Sequence, residues 1–264
     1  MDDQHPELTV QPGAVDTHCH LFLMDREPPD VVETAKAAGV ERLICVGVDP
    51  ETSRRSLELA DGIDGVFATA GMHPHDASGF DAEAGARIEE LLHDPRVLAV
   101  GECGLDFFRM HSPVEDQERV FKIHIALSNE TGKPLVVHVR DAWPDVLRVL
   151  DEGSAERVVI HCFSGDADIA RECEARGYWV SFAGNITYPK NERFRQAAKM
   201  LDLERILVET DSPFLAPQNL RGRDNQPANV RATIAEIARA RGEDVDDVVA
   251  ATAANARAAF PGLR

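Results

Sequence analysis

Six side chains suited to gripping a divalent cation stand at the ends of apolar runs in this chain: His18, His20, Glu102, His138, His161 and Asp211. Imidazole nitrogens and carboxylate oxygens together suit Mg, Mn, Zn and related ions. His18-x-His20 alone is a weak signal, because a single buried histidine is more often a hydrogen-bonded core residue than a ligand. In a strand, however, residues two apart point to the same side, so both rings can converge on one ion. Glu102, in Val-Gly-Glu-Cys-Gly-Leu-Asp, is either a loop glutamate facing water or a carboxylate whose two oxygens each take one metal. His138 in Leu-Val-Val-His-Val-Arg and His161 in Val-Val-Ile-His-Cys-Phe could be core histidines, but their matching places at the ends of successive apolar runs argue against coincidence. Asp211 either caps the Ser212-Pro213 turn or binds a metal and accepts the proton of an attacking water. The chemistry is that of a metal-dependent hydrolase, with Glu102 and Asp211 as its catalytic carboxylates.

Residues so distant in sequence need a scaffold that gathers strand ends. Eight Val- and Ile-rich runs read as strands: Ala14 to Leu21, Arg42 to Val48, Val66 to Met72, Val97 to Leu105, Pro134 to Arg140, Arg157 to Phe163, Tyr178 to Asn185 and Ile206 to Asp211. Stretches with helical periodicity alternate with them at 30–38, 51–60, 81–92, 115–129, 142–150, 167–175 and 191–201, and two more follow at about 229–240 and 245–258. The alternation predicts an α/β fold, a (β/α)8 TIM barrel forming a single domain with its core at about 12–260, with a doubly wound open sheet as the alternative. In such a barrel all C-terminal strand ends open on one face, which would make the six residues neighbours.

Composition narrows the function classes. With 28 Lys and Arg against 46 Asp and Glu, the formal charge of −18 excludes a duplex binder working by charge alone. It leaves a nuclease open, because bound cations and a few arginines make a site locally positive. No apolar run approaches the roughly 18 residues of a membrane span, and Met1 to Glu7 is polar and acidic, unlike an export signal. Five cysteines without a CxxC pair read as small buried residues in a reducing cytoplasm. No internal repeat, linker or obligatory protein partner is evident, and a monomer is expected.

The stretches Val-Asp-Thr-His-Cys-His-Leu (15–21), Gly-Met-His-Pro-His (71–75), Gly-Glu-Cys-Gly-Leu-Asp (101–106), His-Val-Arg-Asp-Ala (138–142), His-Cys-Phe-Ser-Gly (161–165) and Glu-Thr-Asp-Ser-Pro (209–213) together resemble the TatD-related deoxyribonuclease family, a branch of the amidohydrolase-type metal barrels. The resemblance implies two divalent metal ions, with Mg2+ expected for activity and Mn2+ or Zn2+ as alternatives. It places His18, His20 and Asp211 on one ion, His138 and His161 on the other, and Glu102 between them. It implies phosphodiester cleavage at DNA ends or in single strands. His73 resembles the position that contacts the scissile phosphate, although by itself it could be a turn residue before Pro74. Arg140 and Arg109 could pair with phosphate oxygens, and Arg140 could equally hold Glu102 or Asp141.

Two stretches depart from the family's usual pattern, Phe107-Phe108-Arg109-Met110 and Arg223-Asp224-Asn225-Gln226-Pro227, and both bear on substrate contacts. With Trp143, Trp179, Tyr178 and Tyr188 the only Trp and Tyr residues, an extended stacking platform is not evident, which favours short or terminal substrates. The alternative enzyme reading is an amidohydrolase-type hydrolase of a small amide, ester or lactone, against which stands the absence of a lysine at a strand end to serve as a carbamylated bridge. A silent binding module would show a broken ligand set, and none of the six is missing.

Overall fold

Strands covered by helices on one side and packed on each other within a barrel have no polar face, and the strands of this chain are accordingly built from Val, Ile, Leu, Ala and Cys. The computed structural model describes residues 12–263; Met1 to Glu7, read above as no export signal, lies outside them. Eight strands pair in parallel and in chain order: β1 (Ala14–Cys19), β2 (Val40–Val46), β3 (Val66–Ala70), β4 (Val97–Asp106), β5 (Leu135–Arg140), β6 (Val158–Ile160), β7 (Trp179–Phe182) and β8 (Ile206–Val208). The ring closes just beyond β8, where the Asp211 N–H donates to His18 O and the His20 N–H donates to Ser212 O. This is the expected (β/α)8 TIM barrel.

The helices are α1 (Pro28–Ala37), α2 (Pro50–Gly62), α3 (Ala82–Leu92), α4 (Val114–Thr131), α5 (Trp143–Glu152), α6 (Ala167–Ala175), α7 (Glu192–Met200), α8 (Val230–Arg241) and α9 (Val245–Ala259). Several start where an aspartate accepts backbone N–H groups of the first turn, as Asp49, Asp81, Asp166 and Asp244 do. Helix α4 ends at Gly132, whose φ of 66° is the left-handed cap conformation that glycine adopts without strain. One layer of the core lies between barrel and helices. A second fills the barrel itself: Val15, Ile44, Val46, Leu98, Val136, Val159 and Leu207 pack with Ala253, Ala256 and Phe260 of α9 and the turn after it. No helix among the described residues is long and apolar enough to cross a membrane.

The strands are shorter than the apolar runs suggest. β1, β3, β6, β7 and β8 stop before His20, His73, His161, Asn185 and Asp211, because the chain turns outward there. The ladder is also irregular beside the site. Asp16 pairs with Leu43 and Cys19 with Cys45, three steps on β1 against two on β2; Val100 pairs with Leu135 and Cys103 with Val137, again three against two. Each extra residue is a bulge that re-aims a side chain, and the two bulges fall at His18 and Glu102. Strands β4 and β5 approach closely at Gly104, where a Cβ would lie 2.1 Å from the His138 carbonyl oxygen.

A histidine away from the strand ends makes a pH prediction. His124 on α4 is fully buried; it donates from Nδ1 to Val120 O at 2.8 Å and accepts the Met72 N–H at Nε2. Burial pushes its pKa down to about 4, only partly opposed by the Val120 bond. Above the unfolded value near 6.5 the ring is neutral in both states and contributes no pH dependence. Between pH 6.5 and 4 the unfolded chain binds the proton and the folded one does not, so stability falls as pH drops. Urea unfolding of the parent should lose up to about 3 kcal/mol more than His124→Gln over that window; equal slopes would refute the assignment.

Candidate metal centre

Glu102 is the hub of the barrel mouth. It is 3% exposed, its backbone N–H donates to Gly47 O at 3.0 Å, and the Gly101–Glu102 peptide is cis. Its two carboxylate oxygens face different partners. Oε2 lies 3.4 Å from His18 Nε2. Oε1 lies 3.1 Å from His138 Nδ1, 3.1 Å from His161 Nε2 and 3.5 Å from His73 Nε2. On the Oε2 side stands Asp211, with Oδ1 3.5 Å from His20 Nε2 and 3.8 Å from His18 Nε2. Asp211 has a φ of 54°, uncommon for a residue with a Cβ, and is held there by its N–H bond to His18 O and by the Phe214 N–H donated to its own carbonyl.

The outward ring nitrogens decide what the inward ones can do. His20 Nδ1 donates to Val46 O at 2.9 Å, since a carbonyl only accepts. His161 Nδ1 lies 2.9 Å from Glu209 Oε1, and His138 Nε2 lies 3.2 Å from Asp106 Oδ2. With the proton on those outer atoms, each ring turns a lone pair toward Glu102 or Asp211, the carboxylate–histidine arrangement that orients metal ligands. His73 is different. Its Nδ1 accepts the His75 N–H at 3.1 Å, so the neutral ring carries its proton on Nε2 and points a donor, not a lone pair, into the site.

Lone pairs and carboxylate oxygens facing one another across 3.1 to 3.8 Å repel unless a positive charge lies between them. Donor atoms about 2.1 Å from a shared cation sit roughly 3.0 to 3.4 Å apart for right-angle to tetrahedral arrangements, so the spacing fits a cation. His18 supplies independent evidence: it is fully buried, yet neither ring nitrogen has a hydrogen-bond partner. Two sets each bring three ligand atoms within 4.8 Å of one another, His18, His20 and Glu102 and also His18, His161 and Glu209; His73, Glu102 and His138 are equally close, with His73 presenting its N–H. The donor set therefore fits divalent metal. Without it, protons share the load: burial opposes charge on His161, but the neighbouring Glu102 and Glu209 carboxylates hold its pKa well above the ordinary value. Burial likewise opposes charge on Glu102, yet His161 and His73 hold its carboxyl well below the usual range.

All six candidate ligands thus meet in one cluster, and His73 lies beside Glu102. Arg140 does not hold Glu102 or Asp141: its guanidinium carbon sits 4.6 Å from the centre of the Phe108 ring. Arg109 is exposed, and its backbone N–H donates to Asp106 Oδ1 at 2.7 Å. The buried thiols are free, with Cys162 the least covered. Sequence reading gave no role to four residues of the cluster's supporting layer. Asp106 joins His138, His75 and two backbone N–H groups. Glu209 joins His161 and the Cys162 N–H. Asp16, fully buried, accepts the Thr210 N–H and binds its hydroxyl oxygen at 2.6 Å; burial pushes its pKa up to about 8 against those Thr210 bonds. His75 links Asp106 to His73. Strand alternation could not have found Asp16 or Glu209, since a bulge falls between Asp16 and Cys19 on β1 and Glu209 lies beyond the end of β8.

Residues 15–261 match the family model described as TatD related DNase. The chain is 38% identical over 249 residues to the metal-dependent hydrolase YabD of Bacillus subtilis, covering 93% of this chain and 98% of that one. It is 35% identical over 246 residues to the 3'-5' ssDNA/RNA exonuclease TatD of Citrobacter koseri, covering 90% and 94%. Among solved structures, the TatD homologue YjjV of Escherichia coli superposes with a TM-score of 0.88 at 28% identity, covering 94% of this chain and 97% of that one.

Proposed function

Since the chain belongs to the TatD related DNase family, we propose that it is a divalent-metal-dependent nuclease removing nucleotides from the ends of single-stranded DNA, with 3'-to-5' polarity as in the exonuclease relatives. One observation carries the reading: the two oxygens of Glu102 divide the cluster into a His18 side and a His138–His161 side. We assign one ion to His18, His20 and Asp211 and a second to His138 and His161, with Glu102 shared. Mg2+ is the expected ion, with Mn2+ or Zn2+ as alternatives. When bound, such ions neutralise charge developing on the transferring phosphate oxygens.

The remaining steps belong to the chain. Asp211, 15% exposed at its side chain and unprotonated because its histidine neighbours outweigh burial, receives the proton of the attacking water at the carboxylate oxygen not turned to His18 and His20. His73 Nε2–H donates to a phosphate oxygen. Asp106 and Glu209 keep His138 and His161 in the tautomers that face inward. Arg109, Arg221 and Arg223 on the mouth loops and Arg140 at the end of β5 make no ion pair among the described residues, which leaves four guanidinium groups at the mouth for a polyanion. The proposal includes action as a monomer in a reducing cytoplasm, in keeping with five free thiols.

The test is incubation of metal-stripped protein with 5'-end-labelled single-stranded DNA, with and without Mg2+ or Mn2+. A ladder shortening from the 3' end only when metal is added is the expected result. Uncut DNA in the presence of bound metal would overturn the nuclease reading in favour of a small amide, ester or lactone substrate.

A further inference from the structure

Apolar side chains left in water cost free energy unless a ligand covers them, and among the described residues all the large exposed ones except Met200 stand on the mouth loops. Leu23, Phe108, Met110 and Phe214 are the large apolar side chains exposed on the mouth loops, and the two phenylalanines, 59% and 52% exposed, are the aromatic ones. Phe108 follows β4 and lies under Arg140 at the end of β5; Phe214 follows β8 and meets the His20 ring edge-on at 6.1 Å, beyond the end of β1. In a ring running β1 to β8, the β4–β5 and β8–β1 seams are diametrically opposite, so the cluster lies between the two rings.

Neither ring is on a loose loop. The Phe108 N–H donates to Asp106 Oδ1 at 2.9 Å, the same carboxylate that orients His138. The Phe214 N–H donates to Asp211 O, and Phe214 O accepts from the buried Asn225 amide at 2.7 Å. The backbone that carries each exposed ring is thereby fixed relative to a carboxylate of the cluster or its supporting layer. Arg140 over one face of Phe108 adds a guanidinium able to take a phosphate oxygen beside a base stacked on the ring.

Building on the nuclease reading, we propose that Phe108 and Phe214 are base-stacking platforms on the two sides of the scissile phosphate. A strand entering the mouth lays one nucleobase on each ring, which requires both bases to be unstacked from their neighbours and unpaired. Selection for single strands then comes from two phenylalanines rather than from the extended Trp and Tyr surface that the sequence lacks.

The test measures kcat/KM with single-stranded oligonucleotides carrying one abasic residue, stepped along the terminal positions, for the parent, Phe108→Ala, Phe214→Ala and Phe108→Trp, each with bound metal quantified. In the parent, abasic substitution at either position flanking the cut bond is expected to lower kcat/KM about tenfold. Each alanine variant should cut the intact strand about tenfold more slowly, with unchanged metal content, and should lose the abasic penalty at one flanking position only. Phe108→Trp should restore both rate and penalty. Alanine variants that keep the parent's full abasic penalties overturn the proposal, whether or not their rates fall. A parent that cuts no strand fails the nuclease reading itself, and the platforms fall with it.

Discussion

Glu102→Ala is expected to lower metal-dependent cleavage by more than about a hundredfold, the upper loss typical when only a supporting residue of a metal site is removed. The reason is that the two oxygens of Glu102 each face a different ligand set. Its Oε2 approaches His18 while its Oε1 approaches His138 and His161, so one truncation takes an oxygen from each side. Glu102→Gln should fail nearly as badly, because the amide keeps the volume but offers a single acceptor oxygen and no charge. Metal content measured by atomic emission should fall together with activity in both variants. Activity within tenfold of the parent in Glu102→Ala would remove Glu102 from the centre of the mechanism.

The second large effect is expected at a residue with no side chain. Gly104 has a φ of 130° and pairs with His138 on β5, where an added Cβ would lie 2.1 Å from the His138 carbonyl oxygen. The His138 oxygen is backbone in a paired stretch of the ladder, so relief requires the two strands to part. Strain at such a φ and an overpacked contact together cost on the order of 4 kcal/mol. At roughly 2 to 4 °C per kcal/mol, Gly104→Ala should lower Tm by about 10 °C. It should also displace His138, lowering metal affinity in whatever protein still folds. Gly132→Ala is the control: its φ is 66° but nothing lies within 4 Å of the added Cβ, so the cost should be near 1 kcal/mol. Equal Tm values for the two variants would show that the close approach of β4 to β5 does not matter.

The barrel was legible because Val- and Ile-rich runs recur with helical stretches between them, and burial on both faces leaves no other residue choice. The six candidate ligands were legible because each interrupts such a run at its end. Less legible were the bulges at His18 and Glu102: alternation assumes a regular ladder, and an extra residue on β1 or β4 is decided by the neighbouring strand's register. Arg140 was ambiguous for a related reason. Its partner, Phe108, comes from a loop 32 positions away in sequence, and local spacing carries no trace of that contact. Asp106 and Glu209 appeared only as letters within recognisable stretches; what gives them a task is the ring nitrogen each one meets, a fact of the assembled mouth.

The layer of Val15, Ile44, Val46, Leu98, Val136, Val159 and Leu207, backed by Phe260, has a consequence for traffic. The barrel is a blind well, not a tunnel. Whatever enters must leave by the way it came; under the proposed nuclease activity a severed nucleotide and the shortened strand share one doorway, and the strand can advance only after the fragment ahead of it has backed out.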